Sequence, residues 1–175
     1  MKTRLVMHNG ASTRLPHRDY THGTYFITIV TQGRAQMLSQ IIDGRVRLTK
    51  AGKVVEDEWR ATAERRHSVT LDRFVIMPEH FQAIVRLRPK RSAISRDGAK
   101  TLSPDSLGAI VGRFKSACVR RIRRDCIPDF AWQRRFHDRV IRSRGDLERT
   151  RRYIQDNPKE WASAHSEIPP SASHP

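Results

Sequence analysis

The stretch Phe74–Leu87, "FVIMPEHFQAIVRL", is an apolar run interrupted by Pro78, Glu79, His80 and Gln82. Proline has no N–H for a β-ladder and forces the residue before it into extended backbone. Pro78 and Glu79 therefore divide two strands, Val69–Met77 before them and a second resuming at His80. Residues two apart in a strand share a face. His80 and Gln82 then project together, and Phe81 and Ala83 project the other way. The residues alone leave two readings of this pair open. One is a half-exposed polar face meeting water, where such side chains are common. The other is an imidazole and an amide oxygen offering lone pairs to a metal ion or a phosphate group.

Working outward, "YFITIVTQ" (Tyr25–Gln32) is rich in β-branched and aromatic residues and predicts a strand. "DGR" at Asp43–Arg45 is a turn signal between "QII" and "VRLT", which predicts a hairpin. Ala51–Arg66 has apolar residues at Val55, Trp59 and Thr62 or Ala63, a helical spacing. Arg88–Asp105 is polar, basic and turn-rich, and predicts a mobile loop. After it, Leu107, Ile110, Val111, Phe114, Cys118 and Ile122 define a helix capped by Ser106 or Asp105. Arg134–Arg142 predicts a short strand. Gly145–Asn157 predicts a last basic helix, ended or bent by Pro158. Residues 1–165 then form a single domain, and 166–175 a disordered tail. With the hairpin taken as one element, the order is strand, strand, helix, strand, strand, helix, strand, helix. That mix predicts an α+β class, an antiparallel sheet with helices packed on it.

Charge narrows the partner. The 175 residues hold 34 Lys plus Arg against 18 Asp plus Glu, a formal net charge of +16. Self-repulsion of that size works against a compact state, so the excess implies a polyanionic partner. Nucleic acid comes first. A membrane surface comes second, without a basic amphipathic helix bearing a large aromatic face to support it. The N-terminal residues lack the apolar core of a signal peptide, and no apolar run reaches the roughly 18 residues of a membrane span. Cys118 and Cys126 predict free thiols in a reducing cytoplasm, and no Cys/His spacing suggests zinc.

On the last helix, Leu147 and Ile154 define the core stripe. At about 100° per residue, Tyr153 lies off its centre and Asn157 one turn above Tyr153. Arg149 and Arg152 add charge beside it. Taken alone, Tyr153 reads as an edge-of-core residue among solvated arginines, and a phenol is an uncommon nucleophile. On the preceding helix, Arg113, Lys115, Arg120 and Arg121 mark a face suited to a phosphate backbone.

These segments together resemble the single-tyrosine HUH transposases, and most nearly their REP-associated, insertion-sequence-200-like branch. "VIMPEHFQAIV" is similar to the strand–turn–strand in which a Met-Pro pair precedes a His-hydrophobic-His motif. "SLGAIVGRFKSACVRRI" resembles the helix that follows. "YIQDNP" resembles the motif opened by the catalytic tyrosine, and "DYTHGTYFITIVTQ" the first strand. The likeness runs in order from about Arg14 to Trp161. It implies a ferredoxin-like antiparallel sheet of HUH endonuclease type. It also implies one Mg²⁺ or Mn²⁺ held by His80, Gln82 and Asn157, and single-stranded or hairpin DNA as partner. Tyr153 would be the nucleophile, leaving a 5′-phosphotyrosine and a free 3′-hydroxyl. A homodimer and a cytoplasmic, nucleoid-associated location would fit.

The chain departs from the family pattern at three places. Gln82 stands where the second histidine belongs, Glu79 where asparagine is usual, and Arg139 where a histidine follows aspartate. An amide oxygen suits hard cations, whereas imidazole suits transition metals. Two readings follow: an active nuclease with altered metal preference, or a hairpin-binding protein of the same fold with impaired or lost cleavage. A basic RNA-binding α+β domain is a third.

Overall fold

The computed structural model describes residues 20–88 and 105–165. Most of the basic loop expected over 88–105, and the tail expected over 166–175, lie outside the described residues.

The elements run β1 (Gly23–Val30), β2 (Ser39–Ile42), β3 (Arg45–Leu48), α1 (Lys50–Glu64), β4 (Val69–Ile76), β5 (His80–Leu87), α2 (Leu107–Asp125), β6 (His137–Ile141) and α3 (Arg144–His165). Four strands form one antiparallel sheet in the order β4-β5-β1-β6. With α1 and α2 as crossovers this is the β-α-β-β-α-β ferredoxin-like plan. Two additions complete it: the β2–β3 hairpin between β1 and α1, and α3 after β6. The α+β class and the antiparallel sheet are as the sequence predicts.

Strand alternation sorts the core into two layers. Tyr25, Ile27 and Ile29 of β1 and Phe81, Ala83 and Val85 of β5 pack against Trp59 of α1 and Ile110, Phe114 and Cys118 of α2. Trp59 lies edge-on to both Phe81 and Phe114, with ring centroids 5.0 and 5.1 Å away. The opposite sheet face carries Phe26, Val75 and Ile84, and is covered by Ile154 of α3 with Ile41 and Val46 of the hairpin. β5 is thus covered on both sides, which is why its sequence is almost wholly apolar.

The Pro78–Glu79 turn anchors the surrounding loops. Pro78 O accepts the N–H groups of Met37 and Leu38, each at 3.0 Å, and Glu79 O accepts Thr31 N at 2.9 Å. The helix caps are side-chain oxygens: Thr49 accepts from Gly52 N at 3.1 Å, and Ser106 from Ala109 N at 3.3 Å. Ser106, not Asp105, caps α2.

Of the two outcomes expected at Pro158, an end or a bend of the last helix, the first is corrected. The last helix does not end at Pro158 but continues to His165. A helix-interior proline costs about 3 kcal/mol through its missing N–H and its clash with the carbonyl four back. Here Pro158 is buried, and Trp161, nearly one turn on, packs against the second core layer. That burial offsets the cost.

β4 also breaks its register between Leu71 and Phe74. Such a bulge re-aims side chains. Leu71 and Phe74, three apart, both reach the first core layer, while Asp72 turns to the α3 side and accepts two hydrogen bonds from Arg151, at 3.0 and 2.6 Å.

Gly52 provides a test of the packing. A Cβ there would lie 2.0 Å from Leu38 O, a backbone atom that also accepts Thr49 N. In an ordinary helix interior Gly→Ala gains up to about 1 kcal/mol. Gly52→Ala is expected to reverse that sign and destabilise by about 1–3 kcal/mol, the usual range for overpacking. Urea unfolding of the two proteins measures it, and an equal or more stable variant would refute the tight α1–Leu38 contact.

Candidate active site

β5 places His80 and Gln82 on the face covered by α3, and the two are only 8% and 5% exposed. The half-exposed polar strand face is therefore not what the fold contains. A buried amide without partners costs about 1–3 kcal/mol, so Gln82 must be answered from across the layer. The buried stripe of α3 does this. It runs through Thr150, Ile154, Asn157 and Pro158 at spacings of three and four residues. Asn157 falls on it and donates from Nδ2 to Gln82 Oε1 at 2.8 Å. That leaves Gln82 Nε2 directed at the phenol oxygen of Tyr153, 3.5 Å away. Tyr153 is half-buried, its ring set edge-on against Phe26 at 6.0 Å. The geometry is a relay: Asn157 orients Gln82, and Gln82 offers an N–H to the phenol.

His80 lies two residues from Gln82 on the same strand face. Its Nδ1 is buried and has no hydrogen-bond partner among the described residues. Burial pushes its pKa down to about 4, and the positive charge of Arg34 adds to the effect. The imidazole is neutral at physiological pH and keeps a lone pair. Trp161 packs nearby, ring centroids 6.4 Å apart. The Glu79 carboxylate approaches from the turn, with Oε1 3.9 Å from His80 Nδ1 and 2.8 Å from Arg34 Nη1.

The expected ligands and nucleophile, His80, Gln82, Asn157 and Tyr153, are thus gathered between β5 and α3 of one chain. Among the described residues no three His, Cys, Asp or Glu side chains cluster as a metal site. The available donors are instead one imidazole with an unused buried nitrogen, two amides, and the Glu79 carboxylate. An oxygen-rich set of this kind fits a hard divalent cation better than zinc.

The expected DNA contacts are distributed differently. Lys115 donates to the carbonyls of Gln133 and Arg134 at 2.7 and 3.0 Å. Arg121 pairs with Glu58 and Asp57 at 2.9 and 3.2 Å, fastening α2 to α1. Arg113, Arg120 and Arg152 are exposed, without an ion pair among the described residues, and Arg149 is exposed 3.9 Å from Asp146. Arg149 and Arg152 share α3 with Tyr153. Arg113 and Arg120 are on α2, across the sheet from it.

Sequence reasoning missed three parts of this region. Arg139, noted only as a departure, donates to Asp146 at 2.8 Å and to Thr150 Oγ1 at 2.7 Å, fastening β6 to α3. Trp161 lay beyond the expected helix end. Arg34 gave no local signal, because its partner Glu79 is 45 residues away.

No family model matches the chain. A Haemophilus influenzae protein described only as uncharacterized is 28% identical over 168 residues, spanning 89% of this chain and 91% of that one. A solved structure of a REP-associated tyrosine transposase bound to a REP hairpin superposes with a TM-score of 0.52 at 20% identity, covering 93% of each chain. That likeness establishes a shared fold. No helix among the described residues is long and apolar enough to cross a membrane.

The Asp72–Arg151 pair holds α3, and with it Tyr153, against β4. The hydrogen bonds from Arg151 keep the Asp72 carboxyl below its ordinary range, with Arg73 N and the charge of Arg86 acting in the same direction. A depressed carboxylate contributes stability above its unfolded pKa and loses it as pH falls through the folded one. Both groups are partly exposed, so Asp72→Asn is expected to cost only about 0.5–1 kcal/mol at pH 7. The difference from wild type should shrink steadily as pH falls below the ordinary carboxylate range and vanish once Asp72 is protonated in the folded protein as well. Urea unfolding at pH 7 and through that acid range checks it; a difference that does not shrink would show that the ion pair is not its cause.

Proposed function

We propose that the protein is a DNA nuclease of transposase type, acting on single-stranded or hairpin DNA with Tyr153 as nucleophile. The observation that carries this reading is the phenol of Tyr153 directed at Gln82 within one chain, 3.5 Å from its amide nitrogen. The fold shared with the hairpin-bound transposase and the net charge of +16 support the same reading.

The chemistry is a transesterification at phosphorus. The Oη–P bond forms as the P–O3′ bond breaks; the phenol proton leaves, and the departing 3′-oxygen takes one up. The product is a 5′-phosphotyrosine and a free 3′-hydroxyl, and attack by a 3′-hydroxyl reverses the step. Gln82 Nε2–H positions Tyr153 and stabilises the negative charge growing on its oxygen. Asn157 keeps Gln82 in that orientation. Neutral His80, Gln82 and Asn157 would hold Mg²⁺ or Mn²⁺, which polarises the scissile phosphate when bound. That relay and nucleophile meet within one chain supports a reaction in cis. Arg149 and Arg152, on the nucleophile's own helix, guide the backbone of the bound strand, with Arg113 and Arg120 meeting a longer duplex.

A second reading has one observation in its favour. Gln82 Oε1, the atom that would face a cation, already accepts Asn157. A hairpin-binding protein that no longer cleaves would look the same.

Incubation with an end-labelled hairpin oligonucleotide and Mg²⁺ or Mn²⁺ separates the two. The nuclease reading expects a denaturant-stable protein–DNA adduct, reduced about 10³-fold or more in Tyr153→Phe. Absence of any wild-type adduct, or equal adduct from Tyr153→Phe, sinks it. Nicking that appears only in Gln82→His identifies a decayed enzyme. Full wild-type nicking, unchanged by that substitution, counts against decay. On either reading, log affinity for the hairpin should fall linearly with log salt, by about 0.9 per phosphate contacted.

A further inference from the structure

The three ligands named for the cation share a weakness. His80, Gln82 and Asn157 are all neutral, and the chain around them carries a formal net charge of +16. A dication entering such a field is opposed by it. Hard cations bind best where carboxylate oxygen supplies the charge.

The turn before β5 holds a carboxylate in the right place. Glu79 precedes His80, and its backbone is fixed by two hydrogen bonds to its carbonyl, from Thr31 N and Thr31 Oγ1, each at 2.9 Å. Its side chain is only 15% exposed, and Arg34 grips Oε1 at 2.8 Å. The same oxygen faces His80 Nδ1 at 3.9 Å. That gap is too long for a hydrogen bond. It is a little under twice the roughly 2.0–2.1 Å of a bond from Mg²⁺ to its ligands. The nitrogen at its other end is buried and has no partner among the described residues. Buried polar atoms are almost always satisfied, so an orphan of this kind needs a missing partner to explain it.

Building on the proposed nuclease site, we infer that Glu79 is its anionic metal ligand, the carboxylate binding the cation together with His80 Nδ1. Glu79 thereby supplies the affinity that an amide at position 82 does not. Gln82 is then left as a weak ligand at most and can orient Tyr153, its Oε1 already accepting Asn157. A carboxylate has about four lone-pair sites, so it can accept Arg34 and bind a cation together. Arg34 then acts as the cation's competitor: its charge disfavours the dication while its hydrogen bond positions the ligand.

That competition gives the test two opposite signs. Mn²⁺ binding to the DNA-free protein is titrated by the loss of the free-ion electron paramagnetic resonance signal. Glu79→Gln is expected to weaken binding about tenfold or more, the scale of losing a ligand or its support. Arg34→Gln is expected to tighten it about threefold, the scale of one removed exposed charge. It leaves the strained backbone at position 34, φ 55°, occupied by another long side chain. A Glu79 with a purely structural role would make both variants neutral or both weaker, and either result overturns the inference. A Glu79→Gln variant that binds as wild type overturns it alone, leaving the Tyr153 adduct assay untouched. A wild-type protein that binds no Mn²⁺ overturns it together with the cation in the proposed nuclease site.

Discussion

The buried hydrogen bond from Asn157 to Gln82 is the contact on which the second half of the fold depends. β5 is an inner strand of the sheet and is covered on both faces. Its first face follows the ordinary rule, with Phe81, Ala83 and Val85 in an apolar layer. Its second face places a histidine and a glutamine under a helix, where an unanswered amide costs as much as a lost side-chain contact. Asn157 answers it at 2.8 Å, and in doing so sets the rotation of α3. Tyr153 and Trp161, each four residues from Asn157 on either side, follow from that rotation.

Charge has a structural part as well. Several of the arginines are internal braces, each matched by a carboxylate and so outside the net excess. Arg121 binds α2 to α1, Arg139 binds β6 to α3, and Arg151 binds α3 to the bulge in β4. These pairs are partly exposed and individually weak. Their importance is geometric: each fixes the angle of a helix over the sheet. The arginines left without internal partners, such as Arg152, are the ones able to meet an outside polyanion.

How far the sequence could be read follows the range of the interactions. The strand pair around Pro78, the Val55–Trp59–Thr62 stripe and the α2 stripe were legible because they are local periodicities. The gathering of His80, Gln82, Asn157 and Tyr153 was implied by the family resemblance, and it could not be derived from spacing. Its real geometry, an amide chain ending at a phenol, rests on contacts 71 and 75 residues apart. That the helix runs on past Pro158 is not legible, because a local cost of about 3 kcal/mol is set against burial that only the tertiary structure reveals. The pairing of Arg34 with Glu79, and the bulge that turns Asp72 to Arg151, left no pattern a window could detect.

The order of the chain adds a temporal consequence. A chain is synthesised from its N-terminus, while a domain folds as a unit. β5 carries its histidine and glutamine early, whereas Tyr153 and Asn157 come on α3, last of the described elements. A chain without α3 docked would therefore hold Gln82 unanswered, with no Tyr153 beside it. The phenol and its supporting amide arrive together, on one helix. The gathering of His80, Gln82, Asn157 and Tyr153 is in this way tied to the docking of α3 on the sheet.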